Sequence, residues 1–413
     1  MLMRSHAVNG DSRLPVWQRV REFAVPPPMI HTATTRRLAG DWAGACAAAR
    51  FDVDIDLRGL ARTHGLEFTG RVRDDLRHLA PDLLRWHLPR VAPDGLLRPG
   101  LTLTLARYGA EHLVARTAPA WADSGQRISL ALWSGGPHPD RRFRLDLHRH
   151  LWDARRTAEL RERSVQDWAY EAALLRHAEN RPDAPVLVRQ RTRRYLALTP
   201  DAEIQHTETQ HTETPHAEST VAKPRPGDLL LPDAATSTPP DVLLLRAGLI
   251  DPAHLHPLVA AALAPGISAP PPSPSAAPHE RQVDCRGVPH RIALVDGVLA
   301  PLDHDPVELR REELLVAFGG VPLPCLRVID EANRNPAGLA DIQGRLAHGD
   351  TTGALDAIEA LLGPQATLRA GALRDELLAA AERRVTYGLY RAGMAGHCPP
   401  EQRVPRQRHF TKR

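Results

Sequence analysis

The sequence predicts an α+β fold, in which a helical N-terminal part packs on a small antiparallel β-meander and is followed by a β-hairpin and a mostly helical C-terminal domain. Three observations predict it. Apolar residues recur at helical spacing between residues 14 and 90, they alternate at period two from Leu101 to His148, and helical spacing returns between Val307 and Met394. A chain of 413 residues is long enough for two or three such units.

The N-terminal helices are placed by their apolar faces and by the residues that break them. Pro26-Pro27-Pro28 ends a first helix, and Gly40-Asp41 forms a turn in which the Asp can cap the helix that follows. The next predicted helices are Met29–Leu38, Trp42–Arg50, Val72–Leu79 and Pro81–Leu88.

The string Gly40-Asp41-Trp42-x-x-Ala45 resembles the inter-helix turn of a tetratricopeptide repeat. In such a turn the Gly ends one helix, the Asp caps the next, and the small Ala lets the two helices approach closely. The pattern G-D-x-x-G-A-x-x-A occurs again from Gly349 to Ala357. The resemblance covers about thirty residues in each place, within the usual period of ~34. Both segments are predicted to be helical hairpins, whether they are repeats or similar helix caps.

A four-stranded antiparallel meander is predicted where the hydrophobic period changes to two. Its strands are Leu101–Leu105, His112–Thr117, Arg127–Trp133 and Arg142–His148. Residues two apart on a strand point the same way. Phe143, Leu145 and Leu147 therefore form the core face of the last strand. The opposite face carries Arg142, Arg144, Asp146, His148 and His150.

This outer face is the best candidate for chemistry. His148 and His150 could present two imidazoles to one divalent metal, since H-x-H is a ligand spacing in zinc enzymes, and Asp146 extends the set. Arg142 and Arg144 would then hold an anionic or phosphate substrate. No other cofactor is predicted, and His148→Ala should remove the metal without unfolding the protein. Two other interpretations are a solvated face on which Asp146 pairs with a neighbouring arginine, and anion binding without a metal.

The cysteines are predicted to be reduced and free of metal, because the sequence contains no C-x-x-C pair. They are Cys46, Cys285, Cys325 and Cys398. Cys285 and His290 are loosely spaced and have no evident partner nearby. Within Asp303-His304-Asp305, the last residue is interpreted as the N-cap of a helix that begins at Val307.

Further elements follow from local patterns. A charged helix is predicted at Thr157–Asn180, and a hairpin with strands Val186–Val188 and Tyr195–Leu198 follows it. A second hairpin joins His290–Val295 to Val298–Leu302 through Asp296-Gly297, a strong signal for a type I′ turn.

Composition divides the chain into units. Gln-His-Thr-Glu-Thr occurs twice in tandem inside a polar stretch that cannot offset its ordering entropy, which predicts a disordered low-complexity insert. The predicted units are helices plus meander (14–200), this insert (201–240), a short helical segment (241–265), a Pro-rich linker (266–281), a hairpin plus helical domain (282–396) and a basic tail (397–413).

The function is predicted mainly from what the sequence lacks. It contains no Walker A string, no G-x-G-x-x-G after a strand, no H-E-x-x-H and no G-x-S-x-G. A non-enzymatic interaction or adaptor protein with a protein partner is therefore preferred, while enzyme activity stays open. One alternative is a metal-dependent hydrolase of an anionic or phosphate substrate. The other is a nucleic-acid-binding protein that uses the basic tail and the turn residues Arg189, Arg191, Arg193 and Arg194.

Net charge and hydropathy refine this prediction. The net charge is +4, and all but two of the 53 basic residues are arginine, a bias typical of GC-rich codon usage that weakens the nucleic-acid alternative. No stretch reaches the ~20 apolar residues of a membrane span, and the first residues lack the apolar core of a signal peptide. A cytoplasmic protein without a membrane segment is expected.

Overall fold

The computed structural model describes residues 13–122, 124–135, 139–191, 194–200, 224–225, 227–266, 281–285, 287–295, 298–334, 338–362 and 371–394. Helices dominate both ends of this part of the chain, and several small, largely antiparallel sheets lie between them. The predicted α+β class is confirmed. The low-complexity repeat, the Pro-rich linker and the basic tail fall outside the described residues.

The N-terminal helices agree with their predicted positions, except that the helix predicted at Val72–Leu79 begins much earlier, at Leu57. They are α1 (Leu14–Arg19), which continues as a π-helical turn (Val20–Ala24), α2 (Pro27–Leu38), α3 (Trp42–Ala48), α4 (Leu57–His78) and α5 (Pro81–His87). Their apolar faces, including Val20, Val72, Leu76, Leu83 and Leu84, are fully buried in one large core.

The central sheet has four strands, but one of them was not predicted. The chain first forms β1 (Phe51–Asp54), then a short pair β2 (Arg90–Val91) and β3 (Leu96–Leu97), then β4 (Thr102–Tyr108), β5 (Glu111–Thr117) and β6 (Ile128–Trp133). The order is β1-β6-β5-β4, with β1 parallel to β6 and the other pairs antiparallel. Residues 51–54, predicted within the helical part, therefore take the edge position next to β6.

The predicted fourth strand, Arg142–His148, is wrong. Its segment does run beside β4, because the amides of Asp140 and Leu145 donate to the carbonyls of Thr102 (2.9 Å) and Thr104 (2.7 Å). Local turns then replace the strand ladder: the amide of Phe143 donates to the Asp140 carbonyl, 3.2 Å away. The side chain of Asp140 also accepts from the next amide but one, at 2.9 Å, which favours a turn over an extended strand.

The chain between residues 160 and 263 adds short helices and a small sheet. These elements are α6 (Leu160–Arg163), α7 (Trp168–Ala178), β7 (Val186–Arg191), β8 (Arg194–Leu198), β9 (Leu229–Leu230), α8 (Asp233–Thr236), α9 (Pro240–Arg246) and α10 (Pro257–Leu263). Residues of α7, β7, β9 and α8 form a small separate cluster, whereas Leu160, Leu244 and Val259 belong to the large N-terminal core. The hairpin prediction is confirmed by β7 and β8. The single helix predicted at Thr157–Asn180 is wrong, because the chain breaks before Asp167, whose side chain caps α7. The C-terminal part of the predicted insert 201–240 is folded, since Leu229 and Leu231 are buried and β9 pairs with β7.

The C-terminal part contains a three-stranded sheet followed by helices. Its elements are β10 (Arg281–Cys285), β11 (Val288–Val295), β12 (Val298–Pro301), α11 (Pro306–Ala317), α12 (Pro324–Arg334), α13 (Leu339–Ala347), α14 (Thr351–Leu362) and α15 (Ala372–Arg391). The predicted pairing around Asp296-Gly297 is confirmed by the register Val295↔Val298, although the turn itself lies outside the described residues. Asp305 caps α11 as predicted, accepting from the amide of Val307.

Both predicted helical hairpins are present, and their turns are built alike. In the α2–α3 turn, Asp41 accepts from the amide of Gly44 (2.8 Å) and pairs with Arg36. In the α13–α14 turn, Asp350 accepts from the amide of Gly353 (3.3 Å) and pairs with Arg345.

The C-terminal hairpin packs directly on the N-terminal core. The guanidinium of Arg50 donates to the carbonyl of His348 (2.7 Å) and to the carboxylate of Asp350 (2.9 Å). Farther along, the hydroxyl of Tyr387 on α15 donates to Asp52 on β1 at 2.6 Å. None of the helices in the described ranges is long and apolar enough to cross a membrane.

Candidate functional site

A cavity of about 350 Å³ lies beside the segment that the sequence singled out. Its walls come from the residues before and within α1, the end of α5, residues 142–151, α7, and residues 233–243. This volume falls within the ~300–1,000 Å³ of small-molecule sites. The segment 142–151 reaches the cavity because Phe143 and Leu145 are anchored in the core and hold it against β4.

The structure separates the predicted site residues into two groups. Arg142, His148 and His150 line the cavity, whereas Arg144 and Asp146 lie outside it. Arg144 binds Asp146 through two hydrogen bonds of 2.7 and 2.6 Å and also donates to Glu179 at 2.7 Å. Burial disfavours the charge of Arg144, but these carboxylates more than compensate and raise its pKa.

The exposed strand face on which the metal prediction depended is absent. His148 and His150 are only 1% and 3% exposed, and their rings pack edge to face at a centroid distance of 5.8 Å. Asp146 is committed to Arg144 instead of completing a ligand set with them. Because the segment turns after Leu145, the period-two rule no longer places these three side chains together. Metal binding by Asp146, His148 and His150 stays a prediction, now without its geometric basis.

His148 belongs to a buried polar group that the sequence did not predict. Its Nε2 atom lies 3.2 Å from Oε2 of Glu171 on α7, and Arg163 binds both oxygens of the same carboxylate. Burial lowers the pKa of His148, although Glu171 opposes the shift. The neutral imidazole is thus the ordinary state, and Glu171 fixes its orientation.

The pKa of His150 is strongly affected by its surroundings in the cavity. Burial, together with charge repulsion from neighbours such as Arg163, lowers its pKa to about 2. The lining as a whole is cationic, with five arginines against two carboxylates, Glu171 and Asp233. The arginines are Arg13, Arg90, Arg98, Arg142 and Arg163.

Several buried nitrogen atoms around the cavity have no hydrogen-bond partner among the described residues. They include Nε1 of Trp17, Nε of Arg90, and the Nδ1 atoms of His148 and His150, all from residues that line the cavity. Buried polar atoms are nearly always paired with protein groups, ordered water or a ligand, so these atoms are available to whatever occupies the cavity. Since the indole and guanidinium nitrogens can only donate, an occupant that pairs with them must offer acceptors.

Two arginines frame one aromatic ring at this cavity. The guanidinium carbons of Arg98 and Arg142 lie 5.4 and 4.5 Å from the ring centroid of Phe143. Arg142 is also paired with Asp233 at 2.6 Å, whereas Arg98 is exposed and has no carboxylate partner within the described ranges. The charge of Arg98 is therefore available to a ligand.

The basic turn proposed for nucleic acid lies elsewhere. Arg189 and Arg194 belong to the paired strands β7 and β8, and Arg194 is exposed. The side chain of Arg191, all of Arg193 and the basic tail fall outside the described residues. Nucleic-acid binding through these residues stays a prediction.

The sequence also missed a cluster of possible metal ligands. In the part of the chain that the structure describes, only Cys285, His290 and His304 form a group of three whose ligand atoms all lie within 4.8 Å of one another. Cys285 and His290 were predicted to have no partner nearby. This prediction is wrong, because His304, which follows the hairpin in the sequence, lies next to them. A Cys-x₄-His string at the start of a strong hairpin signal was the available clue.

Comparison with known proteins identifies no relative of this chain. No protein-family model matches this chain, and neither a curated protein nor a solved structure is significantly similar to it.

Proposed function

We propose that the protein binds a small anionic ligand, carrying phosphate or carboxylate groups, in the cavity lined by His148 and His150. The observation that carries this proposal is the concentration of unpaired buried donors in a cationic lining. A ligand rich in acceptors and negative charge would satisfy those donors and balance the arginines.

Different residues of the lining would contribute in different ways to binding the anion. Arg98, which has no carboxylate partner within the described ranges, offers charge and hydrogen bonds to an anionic group, and Arg142 beside it also bonds Asp233. Of the predicted anion-binding pair, Arg142 lines the cavity and Arg144 lies outside it.

Deeper in the protein, Nε1 of Trp17 and Nε of Arg90 are unpaired donors, and neutral His150 donates from Nδ1 in one tautomer. The Nε2 proton of neutral His148 faces Glu171, so its Nδ1 is an acceptor and does not bind the anion.

The proposal is tested by thermal unfolding with inorganic phosphate, pyrophosphate, citrate and a nucleoside monophosphate, each at the same ionic strength as a chloride control. A ligand at 100 times its Kd should stabilise the protein by about 2.7 kcal/mol. Titration calorimetry of the best anion should then show about tenfold weaker binding to Arg98→Gln, the equivalent of ~1.4 kcal/mol.

Arg73→Gln is the matched control, because Arg73 is an exposed arginine of α4 outside the cavity. It should bind the anion as the unchanged protein does. The proposal fails if none of the four anions stabilises the protein beyond chloride, or if Arg98→Gln and Arg142→Gln both bind with unchanged affinity.

A second candidate function, the interaction protein, is favoured by the apolar surface of α11. Leu314, Leu315 and Phe318 expose 58%, 55% and 89% of their surfaces, and Val307 is also exposed. Such patches on soluble proteins mark interaction sites. The charges of α11 are mixed, with Arg310 and Arg311 against three glutamates, so the partner that fits is a protein helix recognised by its apolar face.

Selection from a library of helical peptides tests this second candidate. Peptides that bind the protein but not its Leu314→Glu variant should carry apolar residues at helical spacing. If no peptide distinguishes the two proteins, α11 is not the interaction surface. Since Leu314 lies outside the cavity, this result is independent of anion binding.

A further inference from the structure

Four metal-ligand side chains from separate elements meet in the C-terminal part of the protein. Cys285 ends β10, His290 lies on β11, His304 follows β12, and Cys325 lies in the first turn of α12. Both cysteines are buried, at 4% and 0% exposure. The two cysteines are 40 positions apart in the sequence, so their spacing did not predict the cluster that the fold forms.

The ligand atoms converge. Nδ1 of His290 lies 2.6 Å from Nε2 of His304, and Sγ of Cys325 lies 3.2 Å from the same Nε2 atom. Sγ of Cys285 lies within 4.8 Å of one ring nitrogen of each histidine, and Cys285 and Cys325 are buried in the same small cluster. With zinc–nitrogen distances of ~2.0–2.1 Å and zinc–sulfur distances of ~2.3 Å, tetrahedral ligand atoms stand roughly 3.3–3.8 Å apart. The spacing of Cys325 Sγ from His304 Nε2 is close to this value, whereas the two histidine nitrogens would move apart to admit the ion.

We propose that Cys285, His290, His304 and Cys325 bind a structural zinc ion. Two thiolates and two imidazoles in tetrahedral geometry are the donor set typical of zinc. Four protein ligands close the coordination sphere, so the ion leaves no position for a substrate and acts on stability, not on catalysis.

Neighbouring residues hold two of these ligands in place. Gly287, with φ of +87°, makes the tight turn that sets Cys285 opposite Val288, and its amide donates to Asp284 at 2.8 Å. His304 directs Nε2 to the cluster and Nδ1 towards the carboxylate of Glu308, 3.9 Å away. A carboxylate facing the second ring nitrogen is the usual outer partner of a zinc-bound histidine.

The local packing explains what the ion would contribute. The apolar cluster here is small: beside the two cysteines, its buried members are Ile292 and Leu323. Units with so little core commonly depend on a metal or a disulfide. The four ligands join β10 and β11 to α12, so the ion would fasten this sheet to the helix that packs on it.

The site differs from the metal prediction made for Asp146, His148 and His150, and it is independent of the anion-binding cavity. The tandem repeat contributes two further histidines, His206 and His211, so zinc bound there is a third possibility that the test has to separate. These three possibilities predict different effects of substitution.

The test is elemental analysis of the full chain, purified without a histidine tag. The unchanged protein should contain about one zinc per chain. Cys285→Ser and Cys325→Ser should each lose it, while Cys46→Ala, which changes a buried cysteine of the N-terminal core, should retain it. His148→Ala and a variant with His206 and His211 replaced by alanine should also keep their zinc.

A second measurement covers the case in which the cysteine variants do not fold. Cobalt(II) exchanged into the unchanged protein should give the visible bands of a tetrahedral ion and the charge-transfer band of thiolate ligands. A metal-free protein, with thiols reduced or joined as a disulfide, overturns the proposal. So do retention of zinc in both cysteine variants and a cobalt spectrum without thiolate ligands.

Discussion

His148 and Glu171 form a buried pair in which Nε2 of the imidazole lies 3.2 Å from Oε2 of the carboxylate. Arg163 binds both oxygens of the same carboxylate, so the three side chains share one network. His148 is consequently part of the folded interior, where the predicted outer strand face would have left it exposed to solvent. This changes the expected effect of its removal.

His148→Ala should destabilise the protein, contrary to the prediction made from the strand. Removing the buried ring leaves a void and takes one partner from Glu171, and losses of this kind cost roughly 2–4 kcal/mol. Urea unfolding of the two proteins at pH 7 measures the difference. His31→Ala removes an exposed imidazole from α2 and should change the unfolding free energy by less than ~0.5 kcal/mol. Equal effects of the two substitutions would show that the buried network contributes nothing.

Stability should fall as the pH is lowered from 7 to 5, in part because of His150. Burial lowers its pKa to about 2 in the folded protein, from about 6.5 in an unfolded chain. The unfolded state therefore binds the proton more readily, and stability present above pH 6.5 is lost as the pH falls towards 2. His150 alone should account for about 2 kcal/mol between pH 7 and pH 5.

His150→Gln tests this linkage through the pH dependence, not through the stability at any single pH. The variant should lose about 2 kcal/mol less than the unchanged protein between pH 7 and pH 5, whatever its stability at pH 7. His31→Gln should keep the original pH dependence, because its side chain is exposed in the folded state. An unchanged slope in His150→Gln would mean that His150 has the same pKa in the folded protein as in the unfolded chain.

The sequence predicted the elements well and the site only in part. Periodicity located α2, α5, β5 and both hairpins, because burial of one face imposes a regular spacing. It correctly placed Phe143 and Leu145 in the core. However, an alternation of apolar and polar residues cannot distinguish a strand from an irregular segment in which every second side chain is buried. In the structure, His148 lies in the interior beside Glu171 of α7. No sequence signal relates that helix to His148.

Removing the proposed zinc should open one region of the protein selectively. The four ligands join β10, β11 and α12, whereas β4, β5 and β6 belong to the large N-terminal core. A zinc chelator should accelerate amide hydrogen exchange in residues 281–334 and leave exchange in β4–β6 unchanged, because local unfolding follows local packing. Uniform acceleration would point to global unfolding, and no acceleration would deny the ion a structural role.

The two G-D-x-x-G turns allow a matched test of how the C-terminal hairpin attaches. Gly40 and Gly349 have nearly the same backbone, with φ of +77° and +80°. A Cβ atom on Gly40 would meet nothing within 4 Å, whereas one on Gly349 would lie 2.0 Å from the carbonyl oxygen of Gly125. Next to Gly349, the backbone carbonyl of His348 accepts a hydrogen bond from the guanidinium of Arg50.

Gly349→Ala should therefore cost more than Gly40→Ala. Both substitutions force alanine into the left-handed region, at about 1–2 kcal/mol. Only the first adds a clash with backbone atoms, which cannot move as a side chain can, so we expect a further loss of about 1–3 kcal/mol. Urea unfolding gives the two free energies, and hydrogen exchange in α13 and α14 should accelerate in Gly349→Ala alone. Equal costs, with α13 and α14 equally protected in both variants, would show that the close approach to Gly125 does not hold the hairpin in place.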